Sequence, residues 1–149
     1  MNSPDNFEDY LKKGIVKQQH IDSSRANFLV RVSEVSKMDV DNRIKNEGPT
    51  AINANALIKE SYDLIMGLIR AKMLLEGYSC SGEGAHEAEV SFLRILKFSE
   101  KDVNFLNYLR FIRNGISYYG KIFSAEDAHE VLIFLNKIYP LLRNKLGLK

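Results

Sequence analysis

Apolar residues recur with a helical period along almost the whole chain, and no segment alternates in the manner of a strand. Ile21, Phe28, Leu29, Val32 and Val35 supply the apolar stripe of a first helix over about residues 16–38. The segment from Asp39 to Pro49 reads as a loop that Gly48-Pro49 closes. Its acidic start resembles a calcium loop only faintly, since the required glycine and terminal glutamate are missing at the right spacing. A long second helix is predicted over about residues 50–77. Apolar residues from Ile52 to Leu75 cover most of its circumference and leave a polar strip of Lys59, Glu60, Asp63 and Arg70, with Gly67 among them. A helix apolar most of the way round is central in its bundle or covered by a second subunit. Gly67 costs helix stability; it either permits a close approach of another backbone or is tolerated without purpose.

The Gly/Ser-rich stretch 77–84 reads as a connection, without the Gly-Lys-Ser/Thr ending of a phosphate-binding loop. Val90, Phe92, Leu93, Ile95 and Leu96 then mark a third helix over about residues 85–97. Two capping boxes, Ser99 to Asp102 and Ser124 to Asp127, open the last two helices. The final helix runs to about residue 146, with Gly147 as its stop, and Pro140 within it is expected to kink it. The expectation is an all-α, up-and-down bundle of four main helices and one shorter helix. It forms a single domain over residues 1–149, with residues 1–15 loosely ordered.

Composition narrows this further. A chain of 149 residues with 45% hydrophobic and 27% charged residues suits one soluble globular core. Its single cysteine, Cys80, excludes an intrachain disulfide, so a reducing, cytoplasmic setting is expected. No signal peptide and no membrane-spanning run is read in the sequence. Charge is uneven: residues 1–93 hold 11 basic and 14 acidic side chains, residues 94–149 hold 10 and 5. A mildly basic C-terminal third is compatible with an anionic partner, and equally with a solvated surface. His86-Glu87-Ala88-Glu89 lacks the second histidine of a zinc helix, and no metal or cofactor is expected. His86 reads as a capping or surface residue, and His20 and His129 as surface residues.

The chemistry-bearing stretch is Tyr108-Leu-Arg-Phe-Ile-Arg-Asn-Gly-Ile-Ser-Tyr-Tyr-Gly120. On a helix, Phe105, Tyr108, Leu109, Ile112, Ile116 and Tyr119 share a core face. Asn107, Arg110, Asn114 and Ser117 point the other way, Phe111 and Tyr118 beside them, and Arg113 sits at the border nearer the core. Aromatics beside arginine and asparagine are more typical of an interface than of a plain solvated helix. The alternative is that Arg113 and Asn114 serve backbone groups near the helix end.

This region resembles the HEPN domain, a helical bundle found in prokaryotic defence and toxin–antitoxin systems and in some eukaryotic ribonucleases. That family carries an Arg-Asn or Arg-Asp pair in a late helix, followed a turn later by histidine. Arg113-Asn114-Gly115-Ile116-Ser117-Tyr118 matches the pair and the spacing, with tyrosine where the family has histidine. Ser61-Tyr62-Asp63, Ala71-Lys72, the Leu74-Leu75-Glu76-Gly77-Tyr78 run and His86-Glu87 extend the resemblance over roughly residues 16–146.

The resemblance implies a homodimer in which the motifs of two subunits meet, with Phe111, Asn114, Tyr118 and Gly67 at the interface. It also implies RNA or a nucleotide bound by Arg110, Arg113, Asn114, Ser117 and Tyr118, and a minimal nucleotidyltransferase as protein partner. The alternative is a metal-independent endoribonuclease in which Arg113, Asn114 and Tyr118 are catalytic. A phenol is a weak base at neutral pH, so the tyrosine weighs against cleavage more than against binding. A third expectation is a helical scaffold with no ligand.

Overall fold

The structure, a computed structural model, describes residues 2–147; residues 1, 148 and 149, the extremes of the expected 1–149 bundle, lie outside them. In chain order the elements are α1 (Phe7–Lys12), β1 (Val16–Gln18), α2 (Ser23–Glu47), α3 (Ala54–Leu75), β2 (Tyr78–Cys80), α4 (Ala85–Ile95), α5 (Glu100–Tyr119) and α6 (Ala125–Lys145). The architecture is an all-α bundle, as the helical periodicity implies. Its axis is α3, which packs against α2, α4, α5 and α6. Leu57, Ile58, Ile65, Met66, Leu68 and Ile69 of α3 are all fully buried, which explains a helix apolar around most of its circumference.

Several expectations are corrected. The first long helix is not 16–38 but Ser23–Glu47, and the expected loop over residues 39–49 is helix as far as Glu47. The acidic cluster that read as loop is an ion-paired helix surface. Lys37 pairs with Asp41 at 2.8 Å, and Arg43 with Asp39 and with Glu60 of α3 at 2.6 Å each. Val40, fully buried, fastens this extension to the core.

The stripe assigned to that helix, apart from Leu29, which is partly buried against the core, also faces the wrong way. Phe28 is 57% exposed and Val35 66%, with Ile21 and Val32 exposed as well, whereas Ala26, Val30, Ser33 and Val40 are buried. The cause is close helix packing. A Cβ at Gly67 of α3 would collide with Ser33 Oγ of α2, and that hydroxyl donates to the Leu64 carbonyl at 3.0 Å. Only small side chains fit such a contact. Gly67 is therefore buried under the chain's own α2, not at a surface open to a second subunit. Gly67→Ala is expected to lower stability by about 1–2 kcal/mol through overpacking, despite alanine's helix propensity. Adding Ser33→Ala removes the obstructing hydroxyl, and the double variant should melt at or above the wild-type temperature.

Residues 1–15, expected to be loosely ordered, contain α1, whose Phe7 and Tyr10 are buried. Phe7 meets Tyr78 and Phe92 edge-on at 5.1 and 5.0 Å between centroids. The 77–84 connection contains β2, paired antiparallel with β1 in the register Val16↔Cys80, Lys17↔Ser79, Gln18↔Tyr78. Strands of three residues are too short to show alternation. The second long helix begins at Ala54, after a turn in which Thr50 N donates to Asn53 Oδ1 and Asn53 N to Thr50 Oγ1. The third ends at Ile95 rather than near 97, where Lys97 takes φ 69°.

The Ser124–Asp127 capping box forms as expected. At Ser99 only half of one forms: Ser99 accepts from Asp102 N, but the Asp102 carboxylate is taken by Lys137 of α6 at 2.7 Å. Pro140 lies inside α6, which continues to Lys145 and is followed by Gly147 at φ 68°.

Candidate functional site

Helix α5 carries the motif. Its last turn ends at Gly120, whose left-handed φ of 62° suits glycine. The turn beyond is pinned to α3: Asn55 Nδ2 donates to the Lys121 carbonyl and Asn55 Oδ1 accepts from Phe123 N, both at 2.9 Å. The absence of a side chain at Gly115 lets the Lys121 stem lie across α5, since a Cβ there would come within 3.3 Å of Lys121 Cδ. Between α5 and this turn runs a groove of about 750 Å³, lined by Tyr108, Phe111, Ile112, Asn114, Gly115, Tyr118, Tyr119, Lys121 and Phe123. It has five aromatic rings and one cation, and no carboxylate lines it.

The predicted site residues divide between two adjacent strips of α5. Phe111, Asn114 and Tyr118 share the groove. Ser117 is exposed on the neighbouring strip. Arg113 lies at the border, as expected: its guanidinium is 3.5 Å from Asp63 of α3 and stands 5.8 Å over the Tyr62 ring. Arg110 does not point freely into solvent. Its Nε donates to Asn107 Oδ1 at 3.0 Å, and its Nη1 lies 3.8 Å from Glu87 of α4. Two face assignments are corrected. Asn107, placed on the polar face, is 3% exposed, because its amide holds the Asn2 carbonyl of the N-terminal segment at 3.0 Å. Tyr119, placed on the core face, is 78% exposed, because it stands at the last helical position of α5, just before Gly120.

The arginine strip faces a polar cluster that sequence reading left dispersed. Arg70 of α3 holds Glu89 of α4 through two bonds, Nε to Oε2 at 2.7 Å and Nη2 to Oε1 at 3.2 Å. His86, one turn earlier on α4, brings Nδ1 to 3.2 Å from Glu89 Oε1 and 3.3 Å from Arg70 Nη2. The Glu89 side chain is 7% exposed and that of His86 60%. Burial pushes the Glu89 carboxyl up, but hydrogen bonds from His86 and Arg70 outweigh it, and the net displacement is downward. Burial first and the Glu89 charge second push the Tyr62 phenol up, so it stays protonated among Arg70, Arg110 and Arg113. The Tyr62 hydroxyl and Arg113 Nε are buried and have no hydrogen-bond partner among the described residues. Arg70 and Glu89 also line a cleft of about 340 Å³ together with Asp22, Arg25 and Cys80. The Cys80 thiol is pushed up to about 12, by burial and then by Glu89, and so is no nucleophile at neutral pH.

The signal for this cluster was present in the sequence as the i, i+3 spacing of His86 and Glu89 opposite an arginine in an apolar helix. Among the described residues no group of three or more His, Cys, Asp or Glu side chains is arranged to hold a metal ion. No helix among them is long and apolar enough to cross a membrane. The chain matches no protein-family model, no curated protein and no solved structure.

Proposed function

We propose that the chain is a HEPN-like module that binds RNA or a nucleotide as a homodimer, in a reducing, cytoplasmic setting. By the resemblance, it acts with a minimal nucleotidyltransferase in a toxin–antitoxin-type system. The observation that carries the binding reading is the groove of five aromatic rings, Asn114 and Lys121 with no carboxylate in its lining. Aromatic faces stack on bases of any sequence, and a cation beside them answers the phosphate backbone. The exposed side chains of Phe111, Tyr118, Tyr119 and Ile122 at this end of the bundle support self-association through the same face.

Binding is tested by fluorescence anisotropy of a labelled single-stranded RNA. Tyr118→Ala should weaken affinity about tenfold, since stacking one base is worth about 1–3 kcal/mol. Arg113→Ala should weaken it and flatten its salt dependence. Affinity unchanged in both variants would refute the assignment, and sedimentation showing only monomer at micromolar concentration would remove the shared site.

One observation favours the second reading, a metal-independent endoribonuclease. A histidine oriented by a buried carboxylate, absent from position 118, stands on the neighbouring helix at His86.

A further inference from the structure

We propose that the cleft between the first turns of α2, the C-terminal half of α3 and β2 binds a small carboxylate with an apolar stem, an aliphatic acid or an α-amino acid, through Arg25 and Arg70. The cleft shares no lining residue with the aromatic groove of α5, so the proposal stands apart from the RNA-binding reading.

Backbone ties build the cleft. Gln19 N donates to the Gly77 carbonyl at 2.9 Å and Asp22 N to the Leu74 carbonyl at 3.2 Å. These two bonds fasten the segment between β1 and α2 to the end of α3. Gly77, at φ 82°, permits the approach, since a Cβ there would stand 2.9 Å from the Gln19 carbonyl oxygen. Arg25 of α2 and Arg70 of α3 are thereby brought to one cleft of about 340 Å³. Ligand pockets begin at about 300 Å³, so the occupant is small.

The charges in the lining set the sign of the ligand. Both oxygens of Glu89 are committed: Oε2 accepts from Arg70 Nε at 2.7 Å, and Oε1 accepts from Arg70 Nη2 at 3.2 Å with His86 Nδ1 at the same distance. Asp22 Oδ1 accepts from the backbone N of Arg25 at 3.0 Å and so caps α2. The Arg25 guanidinium, exposed at the rim, has no ion pair and no hydrogen bond among the described residues. Arg70 Nη1 has none either, unlike the Nε and Nη2 of the same side chain. The uncommitted donors of the cleft are therefore cationic, and a guanidinium fork matches the plane and spacing of a carboxylate. Asp22 Oδ2, also without a partner among the described residues, suits an ammonium on the same ligand.

The rest of the lining selects the stem. Leu29, Met73 and Leu74 give the cleft an apolar wall, and the last two are buried. An aliphatic stem against that wall leaves water as it binds, which an inorganic anion cannot do.

The test titrates the full chain with isocaproate, L-leucine and inorganic phosphate, followed by calorimetry and by amide chemical shifts. The two organic probes share a stem and a carboxylate and differ in the ammonium. At least one of them should bind, shifting the amides of Asp22, Arg25 and Cys80 and leaving those of Asn114 and Tyr118 in place. Arg25→Ala, at an exposed position, should melt with the wild type and bind that probe about tenfold more weakly or worse. Arg25→Lys, which keeps the charge and loses the fork, should fall between. Tighter binding of L-leucine assigns the site to amino acids, with Asp22 on the ammonium; tighter binding of isocaproate assigns it to plain acids. No binding of either at millimolar concentration overturns the proposal. So does unchanged affinity in Arg25→Ala, or phosphate bound as tightly as the better organic probe.

Discussion

Phe92→Ala is expected to destabilise the protein by about 3–5 kcal/mol. The ring is fully buried and sits edge-on to Phe7 at 5.0 Å and near Tyr78 at 6.2 Å. Its removal opens a cavity where three elements meet: α1, β2 and α4. The walls are themselves rings and helix backbones, which collapse poorly into the vacated volume. Chemical denaturation measures the loss. Hydrogen exchange should show the amides of α1 opening first, because α1 has only six residues and is held mainly by Phe7 and Tyr10. A loss below 1 kcal/mol, or protection in α1 unchanged, would show that α1 is anchored by something other than this aromatic cluster.

Glu89→Gln should cost about 1–2 kcal/mol at neutral pH, because it leaves the half-buried Arg70 guanidinium, 37% exposed and so partly screened by solvent, without its counter-charge. The sign of the pH dependence follows from the downward displacement of the Glu89 carboxyl. A carboxyl that binds its proton more weakly when folded stabilises the fold above its unfolded value, here 4.5. That contribution disappears as pH falls through the folded value. The stability gap between wild type and Glu89→Gln is therefore expected to be full at pH 7 and to narrow steadily below about pH 4.5, approaching a constant once both proteins are uncharged at this position. Urea unfolding of the two proteins across that range gives the gap directly. The comparison cancels the other carboxylates, which titrate in both. A gap independent of pH would mean that Glu89 acts through shape and hydrogen bonding, not charge.

Much of the fold was readable from residue pattern. Helix α3 announced its central place by being apolar all round, and the serines at 99 and 124 marked two helix starts to the residue. The errors cluster where side-chain chemistry points one way and packing another. Asp39, Asp41 and Asn42 have loop composition, yet ion pairs at four-residue spacing and a single buried valine hold them helical. Phe28, Val32 and Val35 look like a core stripe, yet close contact at Gly67 admits only the small residues on the opposite side of α2.

The candidate site shows the same division. Arg113, Asn114 and Tyr118 stood out in sequence through their mixture of charge and aromaticity, and the helix period correctly set Arg113 at the border of the core. That period could not reveal that Asn114 and Tyr118 open into a groove while Arg113 turns toward Asp63 on a helix fifty residues earlier in the chain. Nor could it reveal His86, which gains its meaning from Arg70, 16 residues away.

Residue order alone thus determined the all-α class, the central place of α3 and the starts of α5 and α6, because these depend on neighbours within one or two turns. Which face of α2 is buried, how α1 is tied down, and which charges surround His86 were decided only by the assembled bundle. Close packing and ion pairing join residues far apart in the chain, and no local period encodes them.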